Sequence, residues 1–193
     1  MKNFYILSIC FFAQLFLVAS SASAIEAEVK PVHVLLHTST GDITLELDAK
    51  SAPKTVSNFL QYVNEGFYNN TLFHRVIPDF MIQGGGFQAG MVEKATRSPV
   101  VNESVNGKQN KRATIAMART QHPDSATAQF FINVVDNAYL DGTKGKPGYT
   151  VFGTVIKGID VVDKIAKVST EQRGMSGDVP VQDVLIISAT QLP

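Results

Sequence analysis

The sequence predicts a mainly β domain, an antiparallel barrel or sandwich with two α-helical caps. Three observations carry that prediction. Short apolar runs alternate with turn residues along most of the chain, and two well-separated stretches show helical periodicity. The composition, 45% apolar and 18% charged over 193 residues, suits one folded domain plus extras. The 17 basic residues balance the 17 acidic ones and no basic run appears, so no nucleic-acid partner is expected.

The N-terminus reads differently from the rest. Lys2 precedes an almost wholly apolar stretch from Phe4 to Val18, and small residues follow, ending Ala22-Ser23-Ala24. This is the pattern of a secretory signal peptide, residues 1–24, cut after Ala24. An uncleaved anchor would need about 20 apolar residues to span a bilayer. Cleavage removes Lys2, leaving 16 basic against 17 acidic residues, and removes Cys10, the one cysteine. The expected mature protein is therefore exported to an oxidising compartment, free of disulfides and held by its core alone. No stable membrane insertion is expected after cleavage.

Residues 25–31 read as a mobile lead-in to a domain over 32–190. Residues 32–38 and 43–48 read as a hairpin, with Gly41-Asp42 as the turn and Ile43, Leu45 and Leu47 facing inward. A helix then starts at Ser51-Ala52-Pro53, with Ser51 as N-cap. Val56, Phe59, Leu60 and Val63 form its apolar stripe, and Gly66 stops it. Residues 72–77 and 80–83 return to strand. Residues 84–111, rich in Gly, Asn and polar residues, read as a long loop of the kind that often carries function. Further strands are expected at 113–118, 130–135, 151–156 and 184–189. A second helix is expected at 158–167, with Ile159, Val162, Ile165 and Ala166 on its apolar side.

Most site chemistries find no support. His33 and His37 lie four apart on a strand, about 13 Å, too far to share a metal. His74 and His122 lack partners at ligand spacing, so no metal is expected. Gly84-Gly85-Gly86 opens no apolar helix, so it reads as a close-approach turn rather than a phosphate loop. Ser104 and Ser125 sit in no nucleophile-elbow context.

What remains is Arg75. It stands in Phe73-His74-Arg75-Val76-Ile77-Pro78-Asp79-Phe80-Met81-Ile82-Gln83-Gly84-Gly85, a cation among bulky apolar residues. Such a cation is costly to desolvate, so its position points to use. An apolar pocket with one fixed cationic donor suits a proline ring and the amide before it. A second segment, Gln129-Phe130-Phe131-Ile132-Asn133, puts an amide and an aromatic on one strand face. Alone it reads better as ordinary sheet core, with Gln129 at an edge.

These two segments, with Ser125-Ala126-Thr127-Ala128 leading into the second, closely resemble the signatures of the cyclophilins, the peptidyl-prolyl isomerases. The resemblance runs from about residue 32 to 187. It implies an eight-stranded antiparallel β-barrel closed by two helices, with a substrate groove on its outer face. It also implies that the catalytic arginine is Arg75. Phe80, Met81, Phe131 and Leu140 would wall the proline pocket. Gln83 and Gln129 would orient the substrate backbone, and Ala118 and Arg119 would offer main-chain contacts. Arg119 stands where eukaryotic members carry Asn, which leaves its side-chain role open.

Tyr139 and Tyr149 replace the Trp and His of many members as substrate walls, so weak cyclosporin binding at most is implied. The loop of residues 142–148 is longer than in the compact eukaryotic form. With the signal peptide, these traits resemble the periplasmic bacterial cyclophilins. The implied activity needs no cofactor. Its implied partners are unfolded or partly folded proline-containing polypeptides, met by a monomer that assists the folding of exported proteins. A proline-peptide-binding chaperone without turnover is the alternative that the same groove allows. His74 reads as a structural residue rather than an acid or base.

Overall fold

The computed structural model describes residues 31–193. The expected signal segment, and the expected lead-in up to residue 30, lie outside the described residues.

Strands β1 (Val32–Thr38) and β2 (Gly41–Leu47) form the first hairpin, with Val34 opposite Leu45 and Leu36 opposite Ile43, all fully buried. The turn falls on Ser39-Thr40, two residues earlier than expected. The Thr38 hydroxyl accepts from the Thr40 and Gly41 amides, both at 3.1 Å, and tightens the turn. Gly41 then opens β2 at φ +139°, a conformation open to glycine. His33 and His37 are cross-strand partners of Glu46, at 3.1 Å, and Asp42, at 2.6 Å.

Helix α1 (Pro53–Asn64) buries Val56, Phe59, Tyr62 and Val63, while Leu60 is half-buried. Its N-cap is Ala52, not Ser51, and no side chain of the cap residue serves the helix. A remote carboxylate does so instead. Glu103 accepts from the amides of Lys54 at 3.2 Å and Thr55 at 2.8 Å. Gly66, at φ +65°, donates to the Val63 carbonyl and ends the helix as expected. Helix α2 (Ile159–Ile165) buries Val161, Val162 and Ile165, and the expected Ile159 is only half-buried.

The remaining strands are β3 (Thr71–Leu72), β4 (Arg75–Ile77), β5 (Met81–Gly84), β6 (Phe87–Gln88), β7 (Val92–Glu93), β8 (Thr114–Met117), β9 (Phe130–Asn133), β10 (Val151–Lys157), β11 (Thr170–Arg173), β12 (Ser176–Pro180) and β13 (Leu185–Gln191). The main sheet runs β4-β5-β9-β8-β10-β2-β1-β13-β3-β6-β7 and is antiparallel throughout. The expected strand 72–77 is broken at Phe73-His74, so that β3 pairs with β13 and β4 pairs with β5. One bent chain run thus supplies β4 at one end of the series and β3 near the other, ahead of β6 and β7, and the sheet curls back on itself. Counted once, that run joins β5, β9, β8, β10, β2, β1 and β13 as eight staves. The loop 84–111 is not wholly irregular, because β6 and β7 form a small hairpin around a 3-10 turn at Ala89–Met91. A separate hairpin, β11–β12, was not expected from the sequence.

Rings fill the barrel beneath α1. Phe59 lies 5.1 Å from Tyr68, 5.7 Å from Phe130 and 5.2 Å from Phe152, centroid to centroid. The buried Tyr68 hydroxyl donates to the Ala128 carbonyl at 2.8 Å, so the ring enters the core with its polar tip satisfied.

Candidate active site

Strand register decides which side chains leave the barrel. Across four neighbouring strands one row reads Val76, Ile82, Ile132, Ile115, and all four are fully buried in the core. The adjacent row reads Arg75, Gln83, Phe131, Ala116 and points to the other face, because side chains alternate along each strand. Met81 leaves by the same face as Gln83, two residues away. An arginine and a glutamine therefore come to lie beside Phe131 and Met81 outside the barrel.

That outer face carries its own apolar cluster: Met81, Ala116, Phe131, Leu140 and Val151, with Phe80, Ala118 and Tyr149 packed on it. A pocket of about 120 Å³ opens in it. Its lining brings together nine of the residues named from the sequence: Arg75, Phe80, Met81, Gln83, Ala118, Arg119, Phe131, Leu140 and Tyr149. Gln129 lies behind this lining and accepts from Gln83 Nε2 at 2.9 Å. Tyr139 stands at the rim, 67% exposed, with its ring stacked 5.9 Å from Phe80.

Local structure fixes these walls. Phe80 follows a tight turn at Asp79, φ +56°, and its carbonyl accepts from the Val134 amide and from Asn137 Nδ2 at 3.0 Å. Asn137 also donates to Asn133, which in turn donates to Asn110 and Thr114, so a buried amide chain anchors the Phe80 side of the pocket. On the other side the Tyr149 ring meets Phe131 edge-on, 5.6 Å away at 77°. Gly86 lets Gln129 lie flat on the backbone, since a Cβ there would meet Gln129 Cγ at 2.6 Å.

The Arg75 guanidinium makes no hydrogen bond to any described residue. Among the described residues its one ionic contact is Asp178, 3.9 Å from Nε. Asp178 sits on β12, far along the chain, and was not foreseen; an isolated Asp in a polar hairpin carries no signal of that contact. The neighbouring His74 is buried, its Nδ1 lacks a partner among the described residues, and its ring lies 4.6 Å from that of Phe87. Burial lowers its pKa to about 4 against the opposing pull of the Leu72 backbone, and the Arg75 charge lowers it further. His74 is therefore neutral at ordinary pH.

No Ser, Cys, His, Asp or Glu is among the lining residues. The site has the parts of one that grips a small apolar ring and polarises an adjacent polar atom, a class that works by binding and electrostatics.

Comparison with known proteins agrees with that class. Residues 33–191 match the family model described as cyclophilin type peptidyl-prolyl cis-trans isomerase/CLD. The chain is 56% identical over 163 residues to peptidyl-prolyl cis-trans isomerase A of Dickeya dadantii, covering 84% of this chain and 86% of the relative. It is 58% identical over 161 residues to peptidyl-prolyl cis-trans isomerase B of Escherichia coli, covering 81% and 98%. A cyclophilin type isomerase of Cryptosporidium parvum, solved in the presence of the dipeptide Ala-Pro, shares the fold with a TM-score of 0.70 at 24% identity, covering 83% and 99%. The chain belongs to the cyclophilin-type peptidyl-prolyl cis-trans isomerases and is an isomerase of that class.

Proposed function

We propose that the outer-face pocket is the catalytic site and that Arg75 is its catalytic residue. The observation that carries this reading is a guanidinium with no hydrogen-bond partner among the described residues, set in the lining of an apolar pocket. The Asp178 contact does not oppose it. At 3.9 Å, between side chains 43% and 48% exposed, such a pair is worth about 0–1 kcal/mol and yields readily to a substrate.

The chemistry follows from the amide. Resonance gives a peptide bond a rotational barrier of about 18–20 kcal/mol, and X-Pro bonds interconvert unaided in roughly tens to hundreds of seconds. Rotation localises a lone pair on the proline nitrogen. A donor aimed at that nitrogen stabilises the twisted state more than either planar state, which is catalysis by differential binding. Arg suits this role because its fork is planar, permanently charged and weakly hydrated. Phe80, Met81, Phe131 and Leu140 hold the ring. Gln83 and Gln129 orient the substrate backbone, and the main chain at Ala118 and Arg119 meets the residue before proline. The step needs no proton transfer and no cofactor.

The wider setting is an exported one. Residues 1–24 act as a cleaved signal, residues 32–190 form the catalytic domain, and the mature monomer works in the periplasm on unfolded or partly folded proline-containing chains. With Tyr139 exposed at the rim in place of Trp, cyclosporin binds weakly at most.

The test is turnover of a proline peptide by the mature protein in an assay without a coupling protease. Arg75→Ala is expected to lower kcat/KM by roughly 10²–10³, the scale of losing one such donor, and Arg75→Lys to recover only part. Near-wild-type turnover by Arg75→Ala would exclude the mechanism.

A further inference from the structure

Arg119 lines the pocket, yet its cationic head is turned away from service as a free donor. Nε donates to the Gly148 carbonyl at 3.0 Å and Nη2 to the Pro147 carbonyl at 3.1 Å. Nη1 donates to the carbonyls of Thr120 at 2.8 Å and Gln121 at 3.4 Å. One planar fork thus joins the chain leaving β8 to the end of the 142–148 loop, a geometry that Lys cannot supply. The same guanidinium lies over the Tyr149 ring, with Cζ 4.5 Å from the centroid.

The loop backbone has other anchors. Tyr149 donates to the Leu140 carbonyl, Gly148 donates to Ser104 Oγ, and Asn102 Nδ2 donates to the Gly148 carbonyl. None of these touches the Tyr149 ring. That ring is held by Arg119 over its face and by Phe131 in an edge-on contact. Because Tyr149, Leu140 and Phe131 all line the pocket, the placement of this one ring sets how wide the pocket is on that side.

We infer that Arg119 is a positioning residue that presses Tyr149 into the pocket wall and thereby sets the ring size the enzyme accepts. This rests on the pocket taking the proline ring. A loosened Tyr149 admits a six-membered imino acid that the clamped wall resists.

The experiment compares kcat/KM for matched peptides carrying proline or its six-membered homologue, pipecolic acid, in wild type, Arg119→Ala, Arg119→Lys, Tyr149→Leu and the double variant Arg119→Ala/Tyr149→Leu. Wild type is expected to favour proline. Arg119→Ala is expected to lower that preference by about fivefold, the scale of one cation–π contact. Arg119→Lys keeps a cation but loses the fork that fixes it over the ring, so it should lower the preference by a smaller factor, about twofold. Tyr149→Leu should lower the preference too, and the double variant no further. A general loss of order would depress both peptides together and leave the ratio fixed. An unchanged ratio in Arg119→Ala, additive losses in the double variant, or a wild type indifferent to ring size would each overturn the proposal. If Arg119→Ala fails to fold, Arg119→Lys against Tyr149→Leu decides the matter. Wild type inactive on both peptides would instead sink the catalytic assignment of the pocket.

Discussion

His74 occupies a costly position. It is 6% exposed, one nitrogen has no partner among the described residues, and the Arg75 cation is its chain neighbour. Its pKa of about 4 in the folded protein lies below the unfolded value near 6.5. The native state therefore refuses a proton that the unfolded chain accepts. Above pH 6.5 both states are neutral and stability is complete. As pH falls from 6.5 toward 4 stability is lost, and below 4 this contribution levels off. At about 1.36 kcal/mol per unit the loss approaches roughly 3 kcal/mol. Urea midpoints of wild type and His74→Leu between pH 7 and pH 4 check this: the wild type should lose more stability over that window, and parallel pH profiles would refute it. At this scale much of the site was legible, because the Arg75 and Gln129 segments place cation, amides and aromatics at alternating strand positions. Asp178 was not, since its approach to Arg75 depends on how β12 packs against β4. Nor was the occupation of the Arg119 fork, which depends on how the 142–148 loop folds back.

Elements behave differently, because what terminates them is frequently remote. The periodicity of α1 and the stop at Gly66 were readable locally, whereas its start was not. Ser51 looks like a cap, but its amide donates to Asp48 Oδ1 at 2.9 Å within the preceding turn. That leaves Ala52 in the cap position with nothing to offer. Glu103 fills the gap, accepting from the first-turn amides and from Thr55 Oγ1 at 2.7 Å, and its charge opposes the positive end of the helix dipole. No acidic residue lies in the first turn of α1 to share the task. Glu103→Ala should therefore destabilise the domain by about 1–2 kcal/mol, the cost of losing a helix cap, and Glu103→Gln by less, since one acceptor oxygen remains. Equal urea midpoints for Glu103→Ala and wild type would show that water replaces the carboxylate at no cost. The same limit explains the strands that differ from expectation. Residues 72–77 are continuous in sequence and broken at Phe73-His74 only because their two ends pair with different partners. The β11–β12 hairpin escaped notice because residues 170–173 are polar and largely exposed.

For the molecule as a whole, closure of the barrel is the decisive event, and it depends on the last strand. β13 pairs with β1, about 150 residues away in the chain, and with β3, about 115 residues away. It brings the fully buried Ile186 and the nearly buried Ala189 into the core. Without it, β1 and β3 would both become open edges exposed to water and to other chains. No disulfide can substitute, because the only cysteine is Cys10. A chain ending at Val184 should accordingly lose cooperative unfolding altogether, with no sigmoidal urea transition and no isomerase activity. The outer face would fail with the core, because Arg75 follows directly on the bent run that β13 holds through β3. A milder cut at the same terminus offers the control: removing the exposed Pro193 alone breaks no strand pairing and should leave the midpoint within about 0.5 kcal/mol of wild type. A truncation at Val184 that still unfolds in one transition, with the wild-type denaturant slope, would mean that the remaining strands make a complete sheet without β13.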